Sequence, residues 1–178
     1  RLFEDNCAAC HGVRGTGGPG FPSLADGDWL WGGSPEAIAE TMRAGINSGR
    51  PDSRVSQMPA FGRDGMLPRE AVQTVADYVL ALRGGTADAH GAGAQVFAEN
   101  CVACHGEGGR GGVGIGAPSL TGGHWIYGGD RGTVLATIHG GRQGVMPSWA
   151  GRLTPAQINL LAVFVSRLAA HDQEAAAP

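Results

Sequence analysis

All four cysteines of this 178-residue chain fall into two copies of one signature. Cys7 and Cys10 are followed by His11 in "NCAACHG", and Cys101 and Cys104 by His105 in "NCVACHG". Cys-x-x-Cys-His is the attachment pattern of a c-type haem. The spacing has a physical reason, because residues i and i+3 share one face of a helical turn. Two thiols then reach the two vinyl edges of a porphyrin as thioethers, and the imidazole of the next residue lies beneath the iron. A thioredoxin-like pair would sit in a βαβ pattern, which is missing. A zinc site would space its histidine away from the cysteines, and a structural disulfide would explain neither histidine. Two copies that consume every cysteine read as two covalently bound haem c groups, with His11 and His105 as proximal iron ligands.

Each iron needs a ligand on its other face. Met58 and Met146 occupy matching positions, each follows a loop and each precedes a proline. Proline disfavours helix at the preceding residue, which holds the thioether on a loop at a set depth. A lone Met is commonly a core filler, but a matched pair reads as two ligands. Met42 reads as core, and Met66 is the rival to Met58. His90, His124 and His171 read as solvated, and His139 faces the Met146 loop without ligating. His/Met ligation raises a haem's potential relative to two nitrogens. Around these ligands, Pro22 and Pro118 could offer a carbonyl to the second imidazole N–H and fix its orientation. Trp29 and Trp125 could donate to haem propionates, with packing alone as the alternative. Arg142, and less directly Arg50, could neutralise them.

The elements that position these residues repeat as well. "FPSLADGDWLWGG" (21–33) recurs as "APSLTGGHWIYGG" (117–129), and "QMPAFG" (57–62) as "VMPSWAG" (145–151). The first copy carries an insertion at 46–57. Val72, Val75, Val79 and Leu82 keep helical spacing, as do Ile158, Leu161, Val165 and Leu168. Thr154, Pro155 and Gln157 form a helix start with a capping box, and Ser34-Pro35 and Asp130 open a middle helix in each copy. Leu2-Phe3 and Val96-Phe97 suit a first helix that meets the last helix of its own copy. No alternating strand appears, so the fold class expected is all-α. The order along the chain is a first domain at 1–84, a linker at 85–93, a second domain at 94–170 and a disordered tail at 171–178. About 80 residues per domain is marginal for an unaided core, so something else must fill the middle.

Composition narrows the partners. Glycine accounts for 32 residues and implies much loop. The net charge of −3, with thirteen arginines and no lysine, argues against nucleic acid. The chain has no run of 18 apolar residues, the length needed to span a bilayer. The chain opens on Arg1 close to its first cysteine, which reads as a processed or truncated start, with any membrane helix upstream.

The two haem signatures, "GGPGFPSLADGDWLWGGSPEAI", "QMPAFGRDGML", "GAPSLTGGHWIYGGD" and "GRQGVMPSW" together resemble the dihaem cytochrome c subunit (CcoP/FixP family) of cbb3-type cytochrome c oxidases. The resemblance covers essentially the whole chain. It implies two tandem class I cytochrome c-like domains on the periplasmic side of a bacterial inner membrane. Electrons would come from a cytochrome c or a quinol-oxidising complex. They would pass toward the haem–copper catalytic subunit, beside a monohaem cytochrome c subunit. Carried over, the ligand sets are His11 with Met58 and His105 with Met146. The chain would then be an electron carrier and not itself an enzyme. A soluble periplasmic dihaem shuttle and a dihaem peroxidase-like enzyme are the alternatives, the latter requiring one iron with an open face.

Overall fold

The computed structural model describes residues 1–175, with side chains described through Ala169. Its helices are α1 (Leu2–Asn6), α2 (Ala8–His11), α3 (Pro35–Ala44), α4 (Arg69–Arg83), α5 (Ala92–Asn100), α6 (Val102–His105), α7 (Arg131–Gly140) and α8 (Pro155–Ala175). Among the described residues there is no strand, only isolated bridges. Helix α8 continues to Ala175, into the stretch expected as a disordered tail, and 176–178 lie outside the described residues.

Local sequence accounts for the helix ends. The Ser34 side chain accepts the Ala37 N–H at the start of α3, with Pro35 in the first turn. Asp130 accepts the Thr133 N–H at the start of α7. At α8 the Thr154 N–H donates to Gln157 Oε1 at 2.9 Å, and the Gln157 N–H returns to Thr154 Oγ1 at 3.3 Å. These caps satisfy amide donors that the first helical turn leaves unpaired.

Packing divides the chain into two units, and the cut does not follow the repeat. Unit 1 is Arg1–Ser56 with Gly144–Pro178, and unit 2 is Gln57–Gln143. In unit 1, Phe3 of α1 and Ile38 and Met42 of α3 pack with Ile158, Leu161 and Val165 of α8. In unit 2, Val72, Val75 and Val79 of α4 pack with Phe97 of α5 and Val134 and Ile138 of α7. The first helix of each copy therefore meets the last helix of the other copy. The segment expected as a linker, 85–93, lies inside unit 2.

Val75 and Val165 are the most deeply buried large side chains of the two cores, and burial of each stabilises by roughly 1.5–3 kcal/mol. Gly93 of α5 meets α4 so closely that a Cβ there would stand 2.6 Å from the Tyr78 Cβ. The Tyr78 and Phe97 rings follow at 5.4 Å, in the tilted geometry that aromatic pairs prefer.

Candidate functional site

Both Cys-x-x-Cys-His signatures form a single helical turn. The Cys7 carbonyl accepts from the Cys10 and His11 amides at 3.2 and 2.9 Å, and the Cys101 carbonyl from those of Cys104 and His105 at 3.1 and 2.9 Å. Cys10 and Cys104 are exposed, and Cys7 and Cys101 are half-buried. Burial, reinforced by the neighbouring Cys10, pushes the Cys7 thiol up, and the same causes at Cys101, with Cys104, push it up to about 11.

The imidazoles are oriented from behind. His11 Nδ1 lies 3.0 Å from the Pro22 carbonyl oxygen, and His105 Nδ1 lies 2.9 Å from that of Pro118. A carbonyl only accepts, so Nδ1 carries the proton and Nε2 keeps a free lone pair. Burial lowers both histidine pKa values, opposed by these same hydrogen bonds. A neutral imidazole with its lone pair on Nε2 is the form that binds a metal. Pro22 and Pro118 thus present their carbonyls to the imidazoles alike in both units.

Each methionine is locked by a reciprocal pair of backbone hydrogen bonds. Met58 donates to the Arg142 carbonyl at 2.8 Å and accepts the Arg142 N–H at 3.1 Å. Met146 and Ile46 exchange the same two bonds, both at 2.9 Å. Arg142 and Ile46 each directly follow the glycine that closes a helix, Gly141 after α7 and Gly45 after α3. Met58 packs in unit 2 beside the core that Cys101 and Val102 also touch, and Met146 in unit 1 beside the core that Cys7 and Ala8 touch. This reverses the pairing expected from the repeat, because His11 shares a unit with Met146 and His105 shares one with Met58. Met42 is buried core as expected, and Met66, the rival to Met58, is 55% exposed.

The surrounding polar groups divide. Trp125 Nε1 is buried and meets no acceptor within the protein, with Arg83 over its ring at 5.3 Å. Trp29 packs against the unit 1 core. Arg142 stacks on the Tyr127 ring at 4.4 Å and gives Nε and Nη2 to Thr137 Oγ1. Arg50 turns away into an exposed pair with Asp52 at 2.8 Å. Arg54, missed in the sequence, stands in unit 1 over Trp31. His90 and His139 are exposed, but His124 Nε2 is buried without a partner, which corrects its solvated reading. The His171 side chain lies outside the described ones. Among the described residues no three His, Cys, Asp or Glu side chains gather as a metal site. Nor is any described helix long and apolar enough to cross a membrane. The donors in each unit are two thiols on one turn, a neutral imidazole and a thioether, which fit a haem c.

Two family models match the chain, "Cytochrome c" over residues 1–83 and "Cytochrome C oxidase, cbb3-type, subunit III" over 88–165. The cbb3-type cytochrome c oxidase subunit FixP of Bradyrhizobium sp. (strain ORS 278) is 52% identical over 170 residues. The match covers 94% of this chain and 59% of that protein. Subunit CcoP of Azospirillum brasilense is 49% identical, over 93% of this chain and 59% of its own length. Over most of its length the chain is homologous to the CcoP and FixP subunits of cbb3-type cytochrome c oxidases. It spans about six-tenths of the length of the CcoP and FixP proteins it matches. Its two cytochrome c-type domains imply covalently bound haem c. The family matches follow the repeat copies, whereas the packed units are sewn from both copies.

Proposed function

We propose that the chain is the dihaem electron-transfer region of a cbb3-type oxidase subunit, on the periplasmic side of a bacterial inner membrane. It takes electrons from a cytochrome c or a quinol-oxidising complex. With the monohaem cytochrome c subunit as neighbour, it passes them toward the haem–copper catalytic subunit. Haem c, when bound, supplies one-electron redox chemistry at an iron. Cys7 and Cys10 would tether one such group, with His11 and Met146 as the side chains that would hold its iron. Cys101 and Cys104 would tether the other, with His105 and Met58. Pro22 and Pro118 hold the imidazoles in register, and the paired backbone at Ile46 and Arg142 holds the thioethers. With an imidazole and a thioether both available to hold each iron, the region would carry electrons and would reduce neither oxygen nor peroxide.

The observation that supports this reading is the placement of one imidazole and one thioether, from opposite repeat copies, in each packed unit. A double variant, Cys101→Ser with Cys104→Ser, tests it by leaving one attachment site. The wild-type chain should keep the mass of two haems after denaturation, and this variant the mass of one. In the variant, Met146→Leu should abolish the weak thioether–iron band at the red end of the ferric spectrum, and Met58→Leu should leave it. Haem that is freed by acid–acetone, or a band that follows Met58, would refute the reading.

A further inference from the structure

Arg54 belongs to the insertion that only the first repeat copy carries. Its backbone N–H donates to the Gly45 carbonyl at 3.1 Å and its carbonyl accepts the Asn47 N–H at 2.8 Å. These bonds straddle Ile46, the residue that exchanges hydrogen bonds with Met146. The guanidinium stacks 5.0 Å from the centre of the Trp31 ring, and Nη2 reaches Glu40 at 3.4 Å. The Arg54 side chain is 18% exposed, and its Nε–H is buried and meets no acceptor within the protein. Arginine stays charged at every ordinary pH and carries five donors in a fixed fork. A buried donor left unpaired costs about 1–3 kcal/mol, and more on a charged group. Glu40, 70% exposed and held through Nη2, does not relieve it.

The repeat supplies an internal comparison. Tyr127 stands where the first copy has Trp31, and Arg142 covers it as Arg54 covers Trp31. Both guanidinium groups thus lie over an aromatic ring and issue from backbone bonded beside a methionine loop. Arg142 is reached directly from the end of α7, whereas the first copy has Ile46 there and sends Arg54 from the insertion. The difference is in the free donors. Arg142 spends Nε and Nη2 on Thr137 Oγ1, while Arg54 keeps a buried Nε unspent.

We propose that Arg54 binds a propionate of the haem carried by Cys7, Cys10 and His11, and thereby raises that haem's potential. The proposal rests on the dihaem reading above. A carboxylate accepting from the Nε–H forms the charge-assisted bond that the site lacks. The guanidinium charge then offsets the propionate, which otherwise favours the ferric iron. In unit 2 the buried polar atoms without a partner are the indole Nε1 of Trp125 and Nε2 of His124, with no guanidinium among them, so the two haems are held by different chemistry despite the repeat.

The test is a redox titration of the dihaem protein with Arg54→Leu, Arg54→Lys and Glu40→Gln, the first haem's wave being the one that Met146→Leu displaces. Arg54→Leu should move the first haem toward the ferric form by roughly tenfold at fixed poise. The second wave and both thioether–iron bands should stay in place. Arg54→Lys should give a smaller shift, since an ammonium keeps the charge without the fork. Glu40→Gln, which breaks only the ion pair, should not reproduce the shift. An unmoved first wave, a moved second wave, or a shift that Glu40→Gln copies would overturn the proposal. So would loss of a thioether band in Arg54→Leu, which would mark a dislodged loop. A wild-type protein without two haems or without thioether bands would instead overturn the dihaem reading, so the two failures are distinguishable.

Discussion

Met58 and Arg142 stand far apart in sequence yet exchange both of their backbone hydrogen bonds, at 2.8 and 3.1 Å. The glycine before Arg142 makes this possible. A Cβ on Gly141 would stand 2.5 Å from the Met58 carbonyl oxygen, and its φ of +70° is one that other residues rarely adopt. Gly45 stands in the same relation to Met146, with a Cβ distance of 2.6 Å to that carbonyl and a φ of +72°.

Gly141→Ala should therefore loosen Met58 and weaken the thioether–iron band of the second haem. Gly45→Ala should do the same for Met146 and the first. Each should also cost on the order of 1–3 kcal/mol in denaturant unfolding, from strain and steric displacement. Gly140→Ala is the control, because nothing lies within 4 Å of a Cβ there. It should leave both bands intact and stability unchanged or higher by about 0.5–1 kcal/mol.

Cutting the chain in the 85–93 segment should not yield two working cytochromes. Fragments 1–84 and 94–178 each keep an attachment signature, but each leaves the partner methionine of its unit on the other fragment. Expressed singly, neither should show the thioether–iron band, and mixing them should restore it. A fragment 1–84 that shows the band alone would return Met58 to His11.

The caps of α3 and α7 should act on stability without touching the irons. Ser34→Ala and Asp130→Ala each remove a side-chain acceptor from a first-turn amide. Thermal or denaturant unfolding should register about 1 kcal/mol for each, while both redox waves stay where they are.

Asp77 and Arg131 join α4 to α7 at 2.6 Å on the surface of unit 2. The hydrogen bond from Arg131 holds the Asp77 carboxyl below its ordinary value of 3.8. Because the folded value is depressed, the contribution is present above that ordinary value and is lost as pH falls through the folded one. Asp77→Asn should thus lower the melting temperature slightly at neutral pH, less in high salt. Below the carboxylate range the variant and the parent should melt together.

Much of the site was legible because its chemistry is local. The Cys-x-x-Cys-His turns, the caps at Ser34, Asp130 and Thr154, and the Met-Pro pairs depend on residues within a turn of one another. The crossing was not legible. Val72, Val75 and Val79 keep the same spacing as Ile158, Leu161 and Val165, so either helix offers either first helix an equivalent apolar face. A repeat identifies which segments correspond and leaves open which copy each one packs with, the degeneracy that underlies domain swapping. Arg54 escaped notice for a related reason, since the insertion has no counterpart against which to align it.

Charge shows what the crossing changes. Eight arginines against eleven acidic residues before residue 93, and five against five after it, suggest a strongly asymmetric pair of domains. Grouped as the units pack, the counts become seven against nine and six against seven. Net charge then differs by a single unit, so the asymmetry read along the sequence nearly vanishes between the packed units.

The crossing also sets an order of events for a chain that emerges from its N-terminus. Helices α1 to α3 appear first, yet the surface they bury against, α8, and the thioether of their unit, Met146, are the last to arrive. Unit 2 has Met58 and α4 already waiting when Cys101 emerges, and needs only α7 to close. Contacts between distant segments form late because long loops must close first. Maturation should therefore run opposite to synthesis, the signature made first being the last to be sealed. Until then its thiols and imidazole stay open to whatever machinery loads them, and a chain truncated before α8 would be caught with that door ajar.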